Sequence, residues 1–399
     1  MSEPVQEPGS RALLIQLARL GDLVQTLPVI ESLTQSRSRL TLDLLCAAPL
    51  APVARLFPHL RRVLAWQGAQ WRAWAESAHG RHQQICREAS HHLDELGVGT
   101  YAMAFNLNQH RRAIYAAHLL AARVVGPGSD GPLAASLPAW ASYLRDVAWR
   151  RTDHRIHLSD AFCGLCGVRP PTLVPRIQAV QSELPAGYSP VGGKESLWVL
   201  VAVGAGDTER CMPPLVWASW IETLLAVHSR AQVVLIGSGP ESEVAAAIQD
   251  RLSPLLLGRV WDSTGKLNLA QLATLMSRCH WIVGADTGPL HLGAALGLRT
   301  MGFYFARARV HETGPYGPGH WVWQQEPAGQ GRSQDWPVES SVELLLSGSC
   351  PGTSPEWSLW ESRFDDWGTY YCRLHHPDGA ERRRESIWSS IGPTLCAER

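Results

Sequence analysis

The chain has no excess of charge of either sign, because 36 basic and 36 acidic residues give its 399 residues a formal net charge of zero. Lysine is nearly absent, since Lys194 and Lys266 are the only two and arginine supplies the remaining basic residues. A balanced charge excludes a global field that would attract nucleic acid. We therefore expect no nucleic-acid partner.

The sequence also lacks membrane-spanning and secretory features. No apolar run is long enough to cross a bilayer, and the opening MSEPVQEPGSR is polar and acidic rather than signal-like. The nine cysteines are scattered and odd in number, which favours a reducing compartment. The single C-x-x-C pair, Cys163 and Cys166, lies in an apolar segment and is better explained by core packing than by zinc or redox chemistry. We expect a cytoplasmic protein.

Strand-like and helix-like segments alternate along both halves of the chain, which is typical of α/β domains with parallel sheets. The 45% hydrophobic content of the 399 residues is enough for two cores. We expect Rossmann-like domains at 1–176 and 197–328, a Pro-, Gly- and Ser-rich linker at 177–196, and a C-terminal extension at 329–399. The extension either forms helix packed on the first domain or offers a surface to another protein. Strands are predicted at 12–17, 40–48, 98–108, 121–127, 197–206, 232–239, 259–265 and 280–286.

An anion-site pattern stands at 282–297, IVGADTGPLHLGAALG, where an apolar strand meets a polar turn and a small-residue helix. Gly288 allows the backbone to approach a ligand closely, and the free N–H groups that open the helix point toward it. Phosphate is the expected occupant. The alternative is an ordinary strand-turn-helix unit in which Asp286 or Thr287 only caps the helix.

A second pattern stands at 12–33, where an apolar strand is followed by Gly21-Asp22 and an amphipathic helix. Asp22 therefore lies at the carboxyl end of the first strand, where open α/β sheets bind ligands. Helix capping is the alternative role, because Asp is favoured at helix starts.

Together the two patterns resemble glycosyltransferase family nine, which contains the lipopolysaccharide heptosyltransferases. The family opens with a strand, a Gly-Asp pair and a helix with Val, Thr and Pro, similar to 21–28 here. Its D-T-G-x-x-H-L-x-A-A-L-G signature is similar to 286–297, and its T-G-P-Y-G-P segment to 313–318. The resemblance covers about residues 12–325 and implies a GT-B fold, with two facing Rossmann-like domains and a central cleft.

The resemblance also implies donor-binding residues in the second domain. Arg210 stands where the family places a basic residue, usually Lys, before a Trp-Pro pair, although this chain has Met212-Pro213. A cation there would neutralise the departing diphosphate. Asp286 would orient the turn or a donor hydroxyl. The further donor residues that the resemblance implies are Thr287, Gly288, His291, Lys266, Leu267 and either Glu243 or Glu241.

The implied reaction is inverting transfer of a heptose or related sugar from an ADP-sugar to a lipopolysaccharide inner core or other glycan. Asp22 would be the catalytic base that takes the acceptor proton. His110, Arg111 and Arg112 would hold an anionic acceptor, with a solvated helix start as the alternative. No Asp-x-Asp pair or His cluster has the spacing of a metal site, so we expect neither metal nor cofactor. Peripheral contact with the cytoplasmic face of the membrane is left open.

Two other function classes remain open. A nucleotide-sugar epimerase or hydrolase of the same fold would release free sugar without an acceptor. A catalytically weak relative would use the cleft only to bind a nucleotide-sugar or a protein partner, which the departure at Met212 and the unusual tail favour. The intact Gly21-Asp22 pair opposes this second alternative.

Overall fold

The structure is a computed structural model whose described residues fall into two compact units. The first unit contains Ser159–Pro175 and the described residues before 148, together with 390–391, and the second contains 155–158 and the described part of Arg176–Ser389. The structure describes residues 11–37, 39–76, 82–96, 101–131, 138–147, 155–178, 182–185, 196–326, 335–349, 352, 354–374 and 380–391.

The sheet of the first unit has five strands among the described residues, all parallel, in the order β3-β2-β1-β4-β5. The four inner residues of the central strand, Ala12 to Ile15, are apolar and buried, which is typical of a parallel strand covered on both faces by helices. The strands are β1 (Arg11–Gln16), β2 (Thr41–Ala47), β3 (Leu60–Trp66), β4 (Tyr101–Asn106) and β5 (Ala121–Val125). The helices are α1 (Leu20–Val24), α2 (Leu27–Ser36), α3 (Ala51–Ala54), α4 (Gly68–Glu76), α5 (His82–Leu96), α6 (Arg111–Leu120), α7 (Ala139–Val147) and α8 (Leu158–Leu165).

The sheet of the second unit has eight strands among the described residues, in the order β13-β12-β11-β10-β9-β6-β7-β8. The six strands from β6 to β11 are parallel, whereas β12 and β13 are antiparallel. The strands are β6 (Leu197–Ala202), β7 (Ala231–Ile236), β8 (Val260–Asp262), β9 (Trp281–Ala285), β10 (Arg299–Tyr304), β11 (Trp321–Gln325), β12 (Trp357–Asp365) and β13 (Gly368–Arg373). The helices are α9 (Pro214–Val227), α10 (Ser242–Gln249), α11 (Leu269–Met276), α12 (Gly288–Ala295), α13 (Val310–Thr313), α14 (Val338–Ser347) and α15 (Ala380–Ile391). No helix in the described ranges is long and apolar enough to span a membrane.

The segment beyond 328 builds part of the second unit. Its two strands extend the sheet past β11, and Trp357 is fully buried in the core. The indole N–H of Trp220 on α9 donates to Ser341 Oγ on α14 at 2.9 Å, which joins this segment to the main body of the unit. The expectation of a purely helical extension packed on the first domain is therefore wrong for 357–373, which is a β-hairpin of the second sheet.

The strands predicted from apolar runs are confirmed, but several strands were not predicted. β3 carries exposed Arg61 and Arg62 at its start, which hides its strand pattern. β12 and β13 form the end of the sheet, with β13 at its edge, and they mix polar and aromatic residues without an apolar run. Cys163 and Cys166 are buried, and burial raises the pKa of both thiols. The core-packing interpretation of this pair is confirmed.

Candidate functional site

The strand order of the second sheet reverses between β6 and β9, which lie side by side and run parallel. From β6 the chain continues outward to β7 and β8, whereas from β9 it continues in the opposite direction to β10 and β11. Ligands of open α/β sheets bind outside the carboxyl ends of the strands at such a switch point. The two loops that leave this point are 203–210, after β6, and 286–287, after β9.

Arg210 and Asp286 meet at this switch point. Arg210 Nη1 lies 3.1 Å from Asp286 Oδ2 and 3.4 Å from the Asp286 carbonyl oxygen. On the other side of the carboxylate, His291 Nε2 lies 3.4 Å from Asp286 Oδ1. All three side chains are largely buried, with exposed fractions of 15%, 12% and 4% for Arg210, Asp286 and His291. Three residues predicted for one site are thus brought together, and Asp286 is neutralised by its neighbours.

The surroundings of Asp286 favour its charged form. Burial by itself would raise the pKa of this carboxyl. The hydrogen bond and charge of His291 oppose that effect, as do the charge of Arg210 and a hydrogen bond from Thr313, so that the pKa lies below its usual value. Asp286 is therefore an anion that fixes the positions of the groups around it.

Thr287 and Gly288 open α12 beside this ion pair. Thr287 is the N-cap residue with extended backbone, yet its side chain makes no capping hydrogen bond. Its Oγ1 is buried and has no hydrogen-bond partner among the residues that the structure describes. A buried hydroxyl normally has a partner, because an unpaired one costs about 1–3 kcal/mol. Together with the Gly288 N–H, which opens α12, this hydroxyl can bind an oxyanion.

The carboxyl ends of β7 and β8 bring Glu241 and Lys266 to the same edge of the sheet. Glu241 Oε2 accepts a hydrogen bond from the Ser238 hydroxyl at 2.9 Å, and a Cβ added to Gly204 would lie 1.7 Å from Glu241 Oε1. The Glu241 carboxylate thus lies against the loop that follows β6. Glu243 is exposed in the first turn of α10, so the geometry favours Glu241 over Glu243 as the group that faces a ligand.

Lys266 pairs with Asp262 rather than standing free. Its Nζ lies 2.8 Å from the Asp262 carbonyl oxygen and 3.1 Å from Asp262 Oδ2. Leu267 follows it, half-buried, just before the Asn268 side chain caps α11. Both residues remain at the ligand edge of the sheet, and the predicted contacts of Lys266 and Leu267 with a donor stay predictions.

The first sheet reverses its strand order between β1 and β4. Asp22 follows β1, and its Oδ2 accepts the Arg19 backbone N–H at 3.2 Å and lies 3.6 Å from Arg19 Nε. The capping role that was the alternative is therefore present. The Asp22 side chain nevertheless stays 24% exposed, so its carboxylate can reach a substrate.

The residues predicted for acceptor binding follow β4 at the same edge. His110 caps α6, where its Nδ1 accepts the Ala113 N–H at 3.2 Å, and exposed Arg111 and Arg112 begin the helix. Burial and the charge of Arg112 lower the pKa of His110. The sheet order places these three residues and Asp22 at one switch point, as the predicted acceptor role requires.

Some residues of the two edges were not predicted. Buried Asn108 joins the loops after β1 and β4, because its Oδ1 accepts the Leu17 N–H at 3.1 Å and its Nδ2 donates to the Ile15 carbonyl at 2.8 Å. Tyr304 ends β10, where burial raises the pKa of its hydroxyl and the charge of Asp286 adds to the shift. The sequence could have indicated Asn108, because an Asn-x-Asn pattern at the end of an apolar strand is unusual. Nothing in the sequence distinguishes Tyr304 from an ordinary aromatic residue of the core.

The described residues contain no group of three or more His, Cys, Asp or Glu side chains placed to hold a metal ion. The expectation of metal-independent chemistry stays a prediction, because it depends on the behaviour of the protein with its substrates.

Comparison with solved structures identifies the fold. The fold is similar to that of Escherichia coli ADP-heptose lps heptosyltransferase II, with a TM-score of 0.63 at 17% identity over 84% of this chain and 98% of that one. It is also similar to an E. coli heptosyltransferase solved with ADP, with a TM-score of 0.60 at 18% identity over 85% of this chain and 99% of that one. The fold is therefore the α/β GT-B fold of glycosyltransferases.

Sequence comparison matches a family over part of the chain. Residues 194–335 match the family described as glycosyltransferase family 9 (heptosyltransferase). Lipopolysaccharide heptosyltransferase 3 of E. coli is 20% identical over 300 residues, which are 73% of this chain and 82% of the relative. The match at 194–335 and the similarity to a heptosyltransferase show that the chain is a glycosyltransferase, as the family resemblance implied.

Proposed function

We propose that this protein transfers a heptose or related sugar from an ADP-sugar to a lipopolysaccharide inner-core or other glycan acceptor, with inversion and without a metal. The observation that carries the proposal is the Arg210–Asp286–His291 cluster beside the unpaired Thr287 hydroxyl at the switch point of the second sheet. This cluster combines a fixed cation, a buried hydroxyl and a helix N-terminus. These are the groups that stabilise a departing diphosphate.

The donor diphosphate would bind at this edge with Arg210 and the Thr287 hydroxyl as its ligands. Asp286 would hold Arg210 in place, because the pair is buried on both sides and joined at 3.1 Å. Gly288 would admit the phosphate close to the backbone. His291 would orient Asp286 from the opposite side, at 3.4 Å.

Asp22 would act as the base. Its carboxylate takes the proton of the acceptor hydroxyl while that oxygen forms a bond to the anomeric carbon. The bond from the anomeric carbon to the diphosphate breaks, and the electron pair leaves with the nucleoside diphosphate, whose charge Arg210 neutralises. Attack from the face opposite the leaving group inverts the configuration.

The acceptor would be anionic. His110, Arg111 and Arg112 present donors at the start of α6, and Arg suits phosphate and carboxylate groups because it offers paired N–H donors. Glu241 would contact the nucleoside of the donor, with Lys266 and Leu267 near the base. Glu243 is the weaker candidate because it is exposed in the first turn of α10.

The identity of donor and acceptor is supported by the relatives. A similar heptosyltransferase was solved with ADP, and the curated relative is a lipopolysaccharide heptosyltransferase. Such a reaction would take place in the bacterial cytoplasm, with the acceptor at the inner membrane. Peripheral contact with that membrane would bring the enzyme to a lipid-linked acceptor.

The test is release of nucleoside diphosphate from ADP-heptose and from a panel of other nucleotide-sugars, in EDTA, with and without lipopolysaccharide core. The proposal predicts release that needs the acceptor and survives EDTA. Release without acceptor would indicate an epimerase or hydrolase. Donor binding without turnover on any acceptor would indicate a binding protein.

A further inference from the structure

Three consecutive backbone carbonyls, those of residues 313, 314 and 315, each accept a hydrogen bond from a buried side chain. Tyr304 Oη donates to the Thr313 carbonyl at 2.7 Å, and Tyr371 Oη donates to the Pro315 carbonyl at 2.8 Å. His157 Nε2 lies 2.6 Å from the Gly314 carbonyl oxygen. The three donors come from β10, from β13 and from the residue before α8. We call residues 313–315 the clamped segment.

His157 is a donor in this contact. Burial lowers the pKa of His157 to about 3, so the ring is neutral at ordinary pH. A carbonyl oxygen can only accept, and Nε2 therefore carries the proton. The contact is a neutral hydrogen bond whose strength does not vary across the physiological pH range.

The ring of Tyr371 leaves no space for a side chain at position 314. A Cβ added to Gly314 would lie 2.3 Å from an atom of the Tyr371 ring, closer than any real contact. The φ angle of Gly314 is −56°, which any residue can adopt. Glycine is therefore needed at 314 for space, and the T-G-P sequence and the β12–β13 hairpin fit each other.

The same hairpin holds the rest of the loop. Thr369 Oγ1 accepts the Gly317 N–H at 2.9 Å, and Ser362 Oγ accepts the His320 N–H at 2.8 Å. Both acceptors, like Tyr371, lie beyond the end of the family match at 335. The hairpin thus supplies hydrogen bonds to a loop whose sequence belongs to the family core.

The clamped segment begins beside the ion-pair cluster. Phe303 pairs with Ala285 in the β9–β10 register, so the next residue, Tyr304, which donates to the Thr313 carbonyl, lies at the strand end that Asp286 follows. The Thr313 side chain is also one of the groups that lower the pKa of the Asp286 carboxyl against the effect of burial. Tyr304 fixes the position of Thr313 by donating a hydrogen bond to its carbonyl oxygen. His157 and Tyr371 hold the next two residues in the same way, through the carbonyl oxygens of 314 and 315. Movement of the segment would withdraw the Thr313 hydroxyl from Asp286.

We infer that Tyr371 and His157 are positioning residues of the donor site: they hold the clamped segment so that Thr313 fixes Asp286, and through it Arg210, in the geometry that binds diphosphate. Neither residue lies within 194–335, the part matched by the family. The inference deepens the proposed function and rests on it for the identity of the ligand. It gives the C-terminal hairpin a role in the site.

Tyr371→Phe tests the inference because it removes only the hydroxyl. Tyr370→Phe is the matched control, since Tyr370 is the adjacent residue of β13 and projects to the opposite face of the strand. We expect amide hydrogen exchange to become about threefold to tenfold faster in peptides that cover 286–291 and 313–320, as one lost hydrogen bond predicts. Peptides that cover 231–262 should be unchanged.

ADP affinity, measured by calorimetry, is the second readout. We expect Tyr371→Phe to raise the Kd for ADP about threefold to tenfold, and Tyr370→Phe to leave it unchanged. His157→Leu should behave like Tyr371→Phe, whereas His157→Gln, which keeps a donor, should restore part of the affinity. The two His157 variants keep the inference testable if Tyr371→Phe fails to fold.

Two results would overturn the inference: exchange at 286–291 that is the same in Tyr371→Phe and wild type, or faster exchange with an unchanged Kd for ADP. If the wild-type protein binds no nucleoside diphosphate, the proposed function fails. The exchange at 286–291 then decides by itself whether Tyr371 positions the Asp286 cluster.

Discussion

Arg210 and Asp286, which are 76 residues apart in the chain, form an ion pair across the switch point of the second sheet, with Nη1 and Oδ2 at 3.1 Å. The pair joins the loop after β6 to the loop after β9, the two loops between which a parallel sheet binds its ligand. Arg210 is thereby held as a cation at a fixed place. A fixed cation stabilises a developing negative charge without the reorganisation that a mobile side chain would need.

Replacement of Arg210 should slow transfer far more than it weakens the fold. We expect Arg210→Ala to reduce kcat/KM by about 100-fold to 1,000-fold, as loss of one preorganised donor to a developing oxyanion does. Arg210→Lys should retain part of the rate because it keeps the charge but not the planar donor geometry. Arg251→Ala, which changes an exposed arginine just after α10, is the control and should keep the wild-type rate. A full rate in Arg210→Ala would exclude a role in leaving-group stabilisation.

Thr287→Val separates ligand binding from stability. The Thr287 hydroxyl is buried and unpaired among the described residues, so its removal should leave Tm unchanged or slightly higher. Loss of a hydroxyl that binds phosphate should raise the Kd for ADP about tenfold. Thermal unfolding and calorimetry on the same samples check both expectations. A lower Tm with unchanged ADP affinity would show that the hydroxyl serves the fold alone.

The low pKa of Asp286 predicts a pH-dependent contribution to stability. A carboxyl whose pKa is lower in the folded than in the unfolded protein stabilises the fold above its unfolded pKa, about 3.9 for Asp, and this stabilisation is lost as the pH falls through the folded value. Asp286→Asn, which leaves Arg210 without its partner, should therefore be less stable than wild type at neutral pH. The difference in Tm should shrink below about pH 4. A difference that stays constant down to acid pH would contradict the assigned charge state.

Sequence patterns predicted the parallel strands and most of the donor site because both depend on local signals. An apolar run followed by Asp-Thr-Gly marks a strand end whatever the remaining fold is, and parallel strands gather their carboxyl ends at one edge. Asp286 was found in this way, whereas Arg210 and His291 were implied by the family resemblance. The choice between Glu241 and Glu243 could not be made from spacing, because it depends on how closely the turn after β7 approaches Gly204.

The hairpin β12–β13 could not be predicted because its strand pattern is produced by tertiary contacts. Trp357 and Tyr371 are buried in the second unit, but polar Ser358 and Ser362 are buried as well, so the strands show no clean alternation of apolar and polar residues. Edge strands carry weaker hydrophobic runs than central ones. The contact between Tyr371 and Gly314 joins residues 57 positions apart, and no local pattern reports such a pair.

Asp22→Asn isolates the proposed chemical role of Asp22 from its capping role. The Asp22 carboxylate accepts the Arg19 N–H, and the amide oxygen of Asn can accept the same bond, so the helix start should be kept. Asn cannot take a proton from an acceptor hydroxyl. Circular dichroism and Tm should match wild type, and binding of ADP should be unchanged.

The central claim is that this chain transfers a sugar from an ADP-sugar with Asp22 as base. The most direct measurement is acceptor-dependent ADP release from ADP-heptose in EDTA, for wild type and Asp22→Asn. The account predicts release by the wild type that needs the core acceptor, and a loss of about 100-fold to 10,000-fold in Asp22→Asn with ADP affinity retained. Equal release by the two proteins would contradict the account.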